Sequence, residues 1–86
     1  MNEECFVGVD VSKAWLDVAQ VRGEQVEAPR RVANDEAGRG RLCEELAQLK
    51  PTLIVMEASG GFEMAAATQL CAAGLVVAVV CLTRLA

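Results

Sequence analysis

The stretch Cys5-Phe6-Val7-Gly8-Val9-Asp10-Val11 constrains the fold more than any other, because it sets a carboxylate inside an apolar, β-branched run. Such a run reads as a buried strand. An ionised group in that setting costs on the order of several kcal/mol unless a partner or a metal offsets it. A second stretch repeats the pattern. Thr52-Leu53-Ile54-Val55-Met56-Glu57-Ala58 is a short apolar run with Glu57 at its carboxyl end, followed by Ser59-Gly60-Gly61. Asp10 and Glu57 are therefore expected to share one site.

Taken in order, the first strand places Val7, Val9 and Val11 on one face and Phe6, Gly8, Asp10 and Ser12 on the other, with Gly8 leaving space beside Asp10. Residues 12–14 form a short connection. Residues 15–21 read as a second strand with Leu16 and Val18 inward, making a hairpin with the first. After a turn at Gly23-Glu24, residues 25–32 alternate enough for a third strand, in which Pro29 favours an edge position. Asn34 is a good helix N-cap, with Asp35 and Glu36 in the first turn. A helix follows over about 35–49, burying Leu42, Leu46 and Leu49 with Cys43 beside them. Gly38 and Gly40 each weaken it by about 1 kcal/mol, and Pro51 ends it. Residues 52–57 form the fourth strand, Gly60-Gly61 a turn, residues 62–73 a second helix capped near Gly74, and residues 75–82 a fifth strand.

The order strand-strand-strand-helix-strand-helix-strand predicts an α/β fold with a mixed sheet of the ribonuclease H-like (RuvC-like) kind. A right-handed crossover brings the fourth strand parallel to the first, which sets Asp10 beside Glu57 at one end. Adjacent carboxylates repel unless a cation lies between them. All-oxygen ligands suit magnesium or manganese, and paired ions held by acids are what two-metal phosphoryl chemistry uses.

Composition narrows the class. Eighty-six residues make one small domain or a piece of a larger one, and 53% hydrophobic with 23% charged residues is a globular balance. The formal charge of −4 argues against a chain that grips a phosphate backbone by charge alone. Cys5, Cys43, Cys71 and Cys81 have no short spacing and no histidine to join them, which argues against zinc. With no signal-peptide pattern, a reducing cytoplasmic setting is the expectation. Residues 64–83 carry no charge over 20 positions, yet the change from an Ala-rich half to a Val-rich half beyond Gly74 reads as helix, cap and strand, with no membrane span.

At this point the motifs are similar to a known family. Val7-Gly8-Val9-Asp10-Val11-Ser12-Lys13, Leu16-Asp17-Val18-Ala19 and above all Met56-Glu57-Ala58-Ser59-Gly60-Gly61-Phe62-Glu63 resemble the N-terminal RuvC-like domain of the DEDD transposases of bacterial insertion sequences, the IS-one-ten class. Asn34-Asp35 and the Ala-Gly-Leu-x-Val at residues 73–77 extend the resemblance over nearly the whole chain, 1–86.

The resemblance implies a metal-dependent enzyme that cleaves and joins DNA strands, with four acids holding two magnesium or manganese ions. Asp10 and Glu57 match the first two acids. It also implies a structured, guide-like non-coding RNA, a homo-oligomer, and a C-terminal domain with a strand-exchange serine. The remaining two acids have no counterpart before Ala86. The expectation is an incomplete catalytic domain, inactive alone as a nuclease.

Lys13 is a candidate phosphate contact or a solvated loop lysine, and the backbone amides of Gly60 and Gly61 are further phosphate candidates. Asp17 reads as structural. Ser59 lacks a visible base to activate it and reads as turn chemistry. Two other classes fit parts of the pattern. Sugar kinases and actin-like ATPases also open with Gly-x-Asp, but Val11-Ser12-Lys13-Ala14 lacks their phosphate-loop glycine. A noncatalytic interaction module would use an apolar face left open by missing elements.

Overall fold

The computed structural model describes residues 3–58 and 60–81 of the chain. Ser59, and Leu82 at the end of the last expected strand, lie outside the described residues. The first strand, β1 (Cys5–Val11), alternates as its sequence requires: Cys5, Val7, Val9 and Val11 are buried and Phe6, Gly8 and Asp10 exposed. It pairs antiparallel with β2 (Trp15–Arg22), Val9 opposite Val18 and Asp10 opposite Asp17. Leu16 and Val18 consequently join the buried side.

The expected third strand is divided into β3 (Gln25–Val26) and β4 (Arg30–Ala33), both antiparallel to β2. The Glu27 N–H donates to the Gln20 carbonyl at 2.9 Å, while Arg30 pairs with Val18. Ala28 and Pro29 therefore face Ala19 alone. This extra residue makes a bulge, and a proline is tolerated there because the unpaired residue of a bulge has no ladder hydrogen bond to lose. The edge position expected from Pro29 holds, and the continuity of the strand does not.

Helix α1 (Glu36–Leu49) is capped by Asp35, whose carboxylate accepts the Gly38 N–H at 2.7 Å. The cap thus sits one residue later than expected from Asn34, whose amide is engaged elsewhere. Leu42 and Leu46 are buried, with Cys43 and Leu49 packed at the margin. The helix ends at Lys50 in the left-handed region, φ 55°, immediately before Pro51. Then β5 (Leu53–Glu57) enters parallel to β1, Val9 opposite Met56. Helix α2 (Met64–Ala72) is shorter at both ends than the expected 62–73. Gly74, at φ 84°, turns the chain into β6 (Val77–Val80), parallel to β5.

The resulting sheet runs β3-β2-β1-β5-β6, with β4 also beside β2. Val7, Val9, Val11, Leu16, Val18, Ile54 and Met56 form one core with Leu42 and Leu46 of α1 and Ala66 and Leu70 of α2. Both helices therefore cover the same face. Each fully buried Leu, Ile or Met contributes roughly 2 kcal/mol by removing its apolar surface from water. No helix among the described residues is long and apolar enough to cross a membrane.

The other sheet face is open, and this corrects the expectation of a buried carboxylate. Asp10 is exposed and Glu57 only half-buried. No desolvation cost obliges Asp10 to find a cation in this chain, because water reaches it directly.

Candidate functional site

The site is a row of side chains across the open face. Arg31 of β4 pairs with Asp17 of β2, and Asp17 with Asp10 of β1. The parallel register that sets Val9 opposite Met56 places Asp10 and Glu57 on the next rung. Side chains on one rung point to the same face. Asp10, Asp17 and Glu57 accordingly line one shallow depression of about 410 Å³, floored by Gly8, Ala19 and Val55. The three floor residues are small or compact, and an added Cβ at Gly8 would meet nothing within 4 Å.

Asp17 differs from its two neighbours. Its carboxylate accepts two hydrogen bonds from the Arg31 guanidinium, at 2.8 and 3.2 Å. That bidentate contact lowers the Asp17 pKa below 3.8, its ordinary value, and raises that of Arg31. The Arg31 guanidinium also lies over the Trp15 ring, 5.3 Å from its centroid. Asp17 is thus committed to a cation already present, as its structural reading from sequence anticipated.

Two loops frame the row. Lys13 is exposed in the turn between β1 and β2, at the end of the sheet that carries Asp10. Gly60 and Gly61, at φ 67° and 104°, make the expected turn after β5, a backbone that only glycine adopts at little cost. The Gly61 amide donates to Glu63 Oε1 at 3.2 Å, so the expected phosphate contact at Gly61 meets an amide already engaged by a carboxylate. Glu63 itself is 5% exposed, a buried acid at the start of α2.

Asn34 joins these loops. Its Nδ2 donates to the carbonyls of Ser12, at 2.9 Å, and Phe62, at 3.3 Å. Arg39 holds the other end of that amide, donating through Nη1 to Asn34 Oδ1 at 3.0 Å and through Nε to Gln69 Oε1 at 2.5 Å. One asparagine thereby ties the loop after Asp10 to the loop after Glu57. The sequence marked Asn34 only as a cap and gave Arg39, Gln69, Trp15 and Arg31 no part in the site. The available signal was the Asn34-Asp35 pair, which offers two capping residues where a helix needs one.

Two carboxylates on one rung supply oxygen donors of the kind magnesium and manganese accept. They do not supply a full set. Among the described residues no group of three or more His, Cys, Asp or Glu side chains is placed to hold a metal, since the third acid of the row is turned to Arg31.

No family model matches the chain, and no curated protein matches it. Solved structures do. Thermus thermophilus RuvC in complex with a Holliday junction substrate superposes with a TM-score of 0.67 at 14% identity, covering 91% of this chain. A second structure of Thermus thermophilus RuvC gives 0.65 at 15% identity over 90% of this chain. The chain spans 64% and 63% of those two RuvC chains, a little under two thirds of their length. A Bacteroides thetaiotaomicron protein with an actin-like ATPase fold and unknown function gives 0.68 at 13% identity, over 93% of this chain and 34% of its own. The fold is therefore ribonuclease H-like, with the mixed sheet expected from the order of elements. At these identities the likeness is one of fold.

Proposed function

We propose that the chain is the N-terminal part of the catalytic domain of a DEDD-type transposase of bacterial insertion sequences, acting on DNA in its parent protein. The observation that carries this reading is the shared rung of Asp10 and Glu57 on the open sheet face, together with the Glu-Ala-Ser-Gly-Gly-Phe-Glu motif at residues 57–63. The superposition on a RuvC bound to a junction DNA supports the class of substrate.

In this reading Asp10 and Glu57 would hold magnesium or manganese through their carboxylate oxygens. The chemistry such an ion would supply is Lewis-acid activation of a phosphoryl group and of the attacking oxygen. The chain's own residues do the rest. Gly8 keeps bulk away from Asp10, the Asn34 amide holds the two loops at a set spacing, and exposed Lys13 offers a cation to a phosphate at the rim. With two carboxylates the chain binds an ion weakly and does not cleave DNA alone, because in-line displacement needs a fuller clamp and a positioned substrate. The parent's non-coding RNA and its homo-oligomeric state belong to the same proposal.

Calorimetric titration of the chain with magnesium or manganese, against Asp10→Ala and Glu57→Ala, tests it. Binding lost in both variants supports one shared site. Binding retained in either variant, or absent from a folded wild type, removes the metal-site reading.

The open face favours a second reading. Phe6 is 40% and Val80 41% exposed, with half-buried Val55 between their strands, an apolar surface of the kind interaction modules use. Concentration-dependent association without metal binding supports that alternative. An actin-like ATPase fragment is the third, and nucleotide binding without nucleic-acid binding is its signature.

A further inference from the structure

We infer that Trp15 and Arg31 form a stacking platform for an unpaired nucleobase beside the carboxylate rung. The inference rests on the nucleic-acid reading above and deepens it, naming single-stranded DNA or RNA as what lies across this end of the sheet.

Trp15 is the chain's single tryptophan, and 43% of its surface is exposed. It shares the open face with Asp17, two positions along β2, and Asp17 is opposite Asp10. Strand geometry puts Trp15 about 8 Å from Asp10. A strand whose phosphate meets the carboxylate pair would reach the ring with a neighbouring nucleotide.

The backbone that carries the ring is also fixed. The Ser12 hydroxyl donates to the Trp15 backbone carbonyl and accepts from the Trp15 backbone amide, both at 3.2 Å. Arg31 lies over the ring while its guanidinium is locked by two bonds to Asp17. An aromatic face and a planar guanidinium are the two side-chain surfaces on which bases stack. Lys13 is exposed in the adjoining turn.

The chemistry selects unpaired bases, because duplex bases are already stacked on one another and present only their edges. It also selects stacking over charge. The Arg31 charge is matched by Asp17 and the chain carries −4 overall. Few counterions are displaced on binding, so the salt dependence is shallow.

The test uses the whole chain, a short oligothymidylate and the intrinsic fluorescence of Trp15, which has no tyrosine or second tryptophan to obscure it. The titration is done in EDTA, so that it is independent of any metal site. Saturable quenching by the single strand, with no effect from the matching duplex, is the expected result. By anisotropy of a labelled oligonucleotide, Trp15→Leu weakens binding about tenfold, Trp15→Phe restores part of it, and Arg31→Lys weakens it while preserving charge. Circular dichroism confirms that each variant is folded. Binding that leaves Trp15 emission unchanged, equal binding of duplex, unaltered affinity in Trp15→Leu, or no binding at all overturns the platform. The calorimetric outcome for Asp10 and Glu57 stands apart from each of these.

Discussion

Asn34 Nδ2 sits 2.9 Å from the carbonyl oxygen of Ser12, joining positions 22 residues apart in sequence. The same nitrogen reaches Phe62 at 3.3 Å, so one amide spans the loops that follow the two candidate metal-binding acids. Removing it in Asn34→Ala is expected to destabilise the fold by about 1 to 2 kcal/mol, the usual effect of losing such bonds. Amide exchange should rise first at Gly60 to Phe62. Unchanged protection there would show that the loop is held by its own backbone.

The two helix glycines should behave oppositely. A Cβ at Gly38 would lie 2.1 Å from the Ala33 carbonyl oxygen, whereas one at Gly40 meets nothing within 4 Å. Gly40→Ala is expected to stabilise the protein by up to about 1 kcal/mol through helix propensity. Gly38→Ala should destabilise it despite the same gain, because the backbone of β4 has to shift. Urea midpoints of the two variants decide this.

The Asp17–Arg31 pair sets an acid limit on local order. Because the folded Asp17 pKa is lowered by Arg31, the pair stabilises the folded state above the ordinary Asp range and loses that contribution as pH falls through the lowered value. Asp17→Asn should abolish this part of the acid dependence. Both groups are exposed, so the effect is small and screened by salt. Trp15 emission followed from pH 6 down to about 2 should show a step that the variant lacks.

Thiol reactivity should follow the fold. Cys71 and Cys81 are exposed, Cys43 is partly covered and Cys5 is buried. Burial raises the Cys43 pKa and leaves less thiolate to react. Under native conditions Cys71 and Cys81 are expected to react first with a disulfide reagent, Cys43 slowly, and Cys5 only on unfolding. Early labelling of Cys5, mapped by mass spectrometry, would contradict its place at 3% exposure in the core.

Local pattern carried a large part of this fold. The alternation of Val7, Val9 and Val11, the Leu42 and Leu46 spacing and the Gly60-Gly61 turn each depend on neighbours a few residues away, and the elements stand where that pattern put them. Pro29 announced an edge but not the bulge, since a bulge is a mismatch with a partner strand and has no signature in one strand alone. The cap moved from Asn34 to Asp35 because a bridge to Ser12 and Phe62 takes up the Asn34 side chain.

The order of elements, the inward faces of the strands and the parallel placement of the Glu57 strand beside the Asp10 strand were legible in the sequence, because periodicity and crossover topology follow from backbone geometry that every chain shares. Long-range packing alone settled that the carboxylate face is uncovered, that Asp17 belongs to Arg31, and that the Arg31 guanidinium lies over the Trp15 ring. Those depend on which surfaces long-range packing leaves to water, and solvent exposure is a property of the assembled sheet and helices, not of any one stretch.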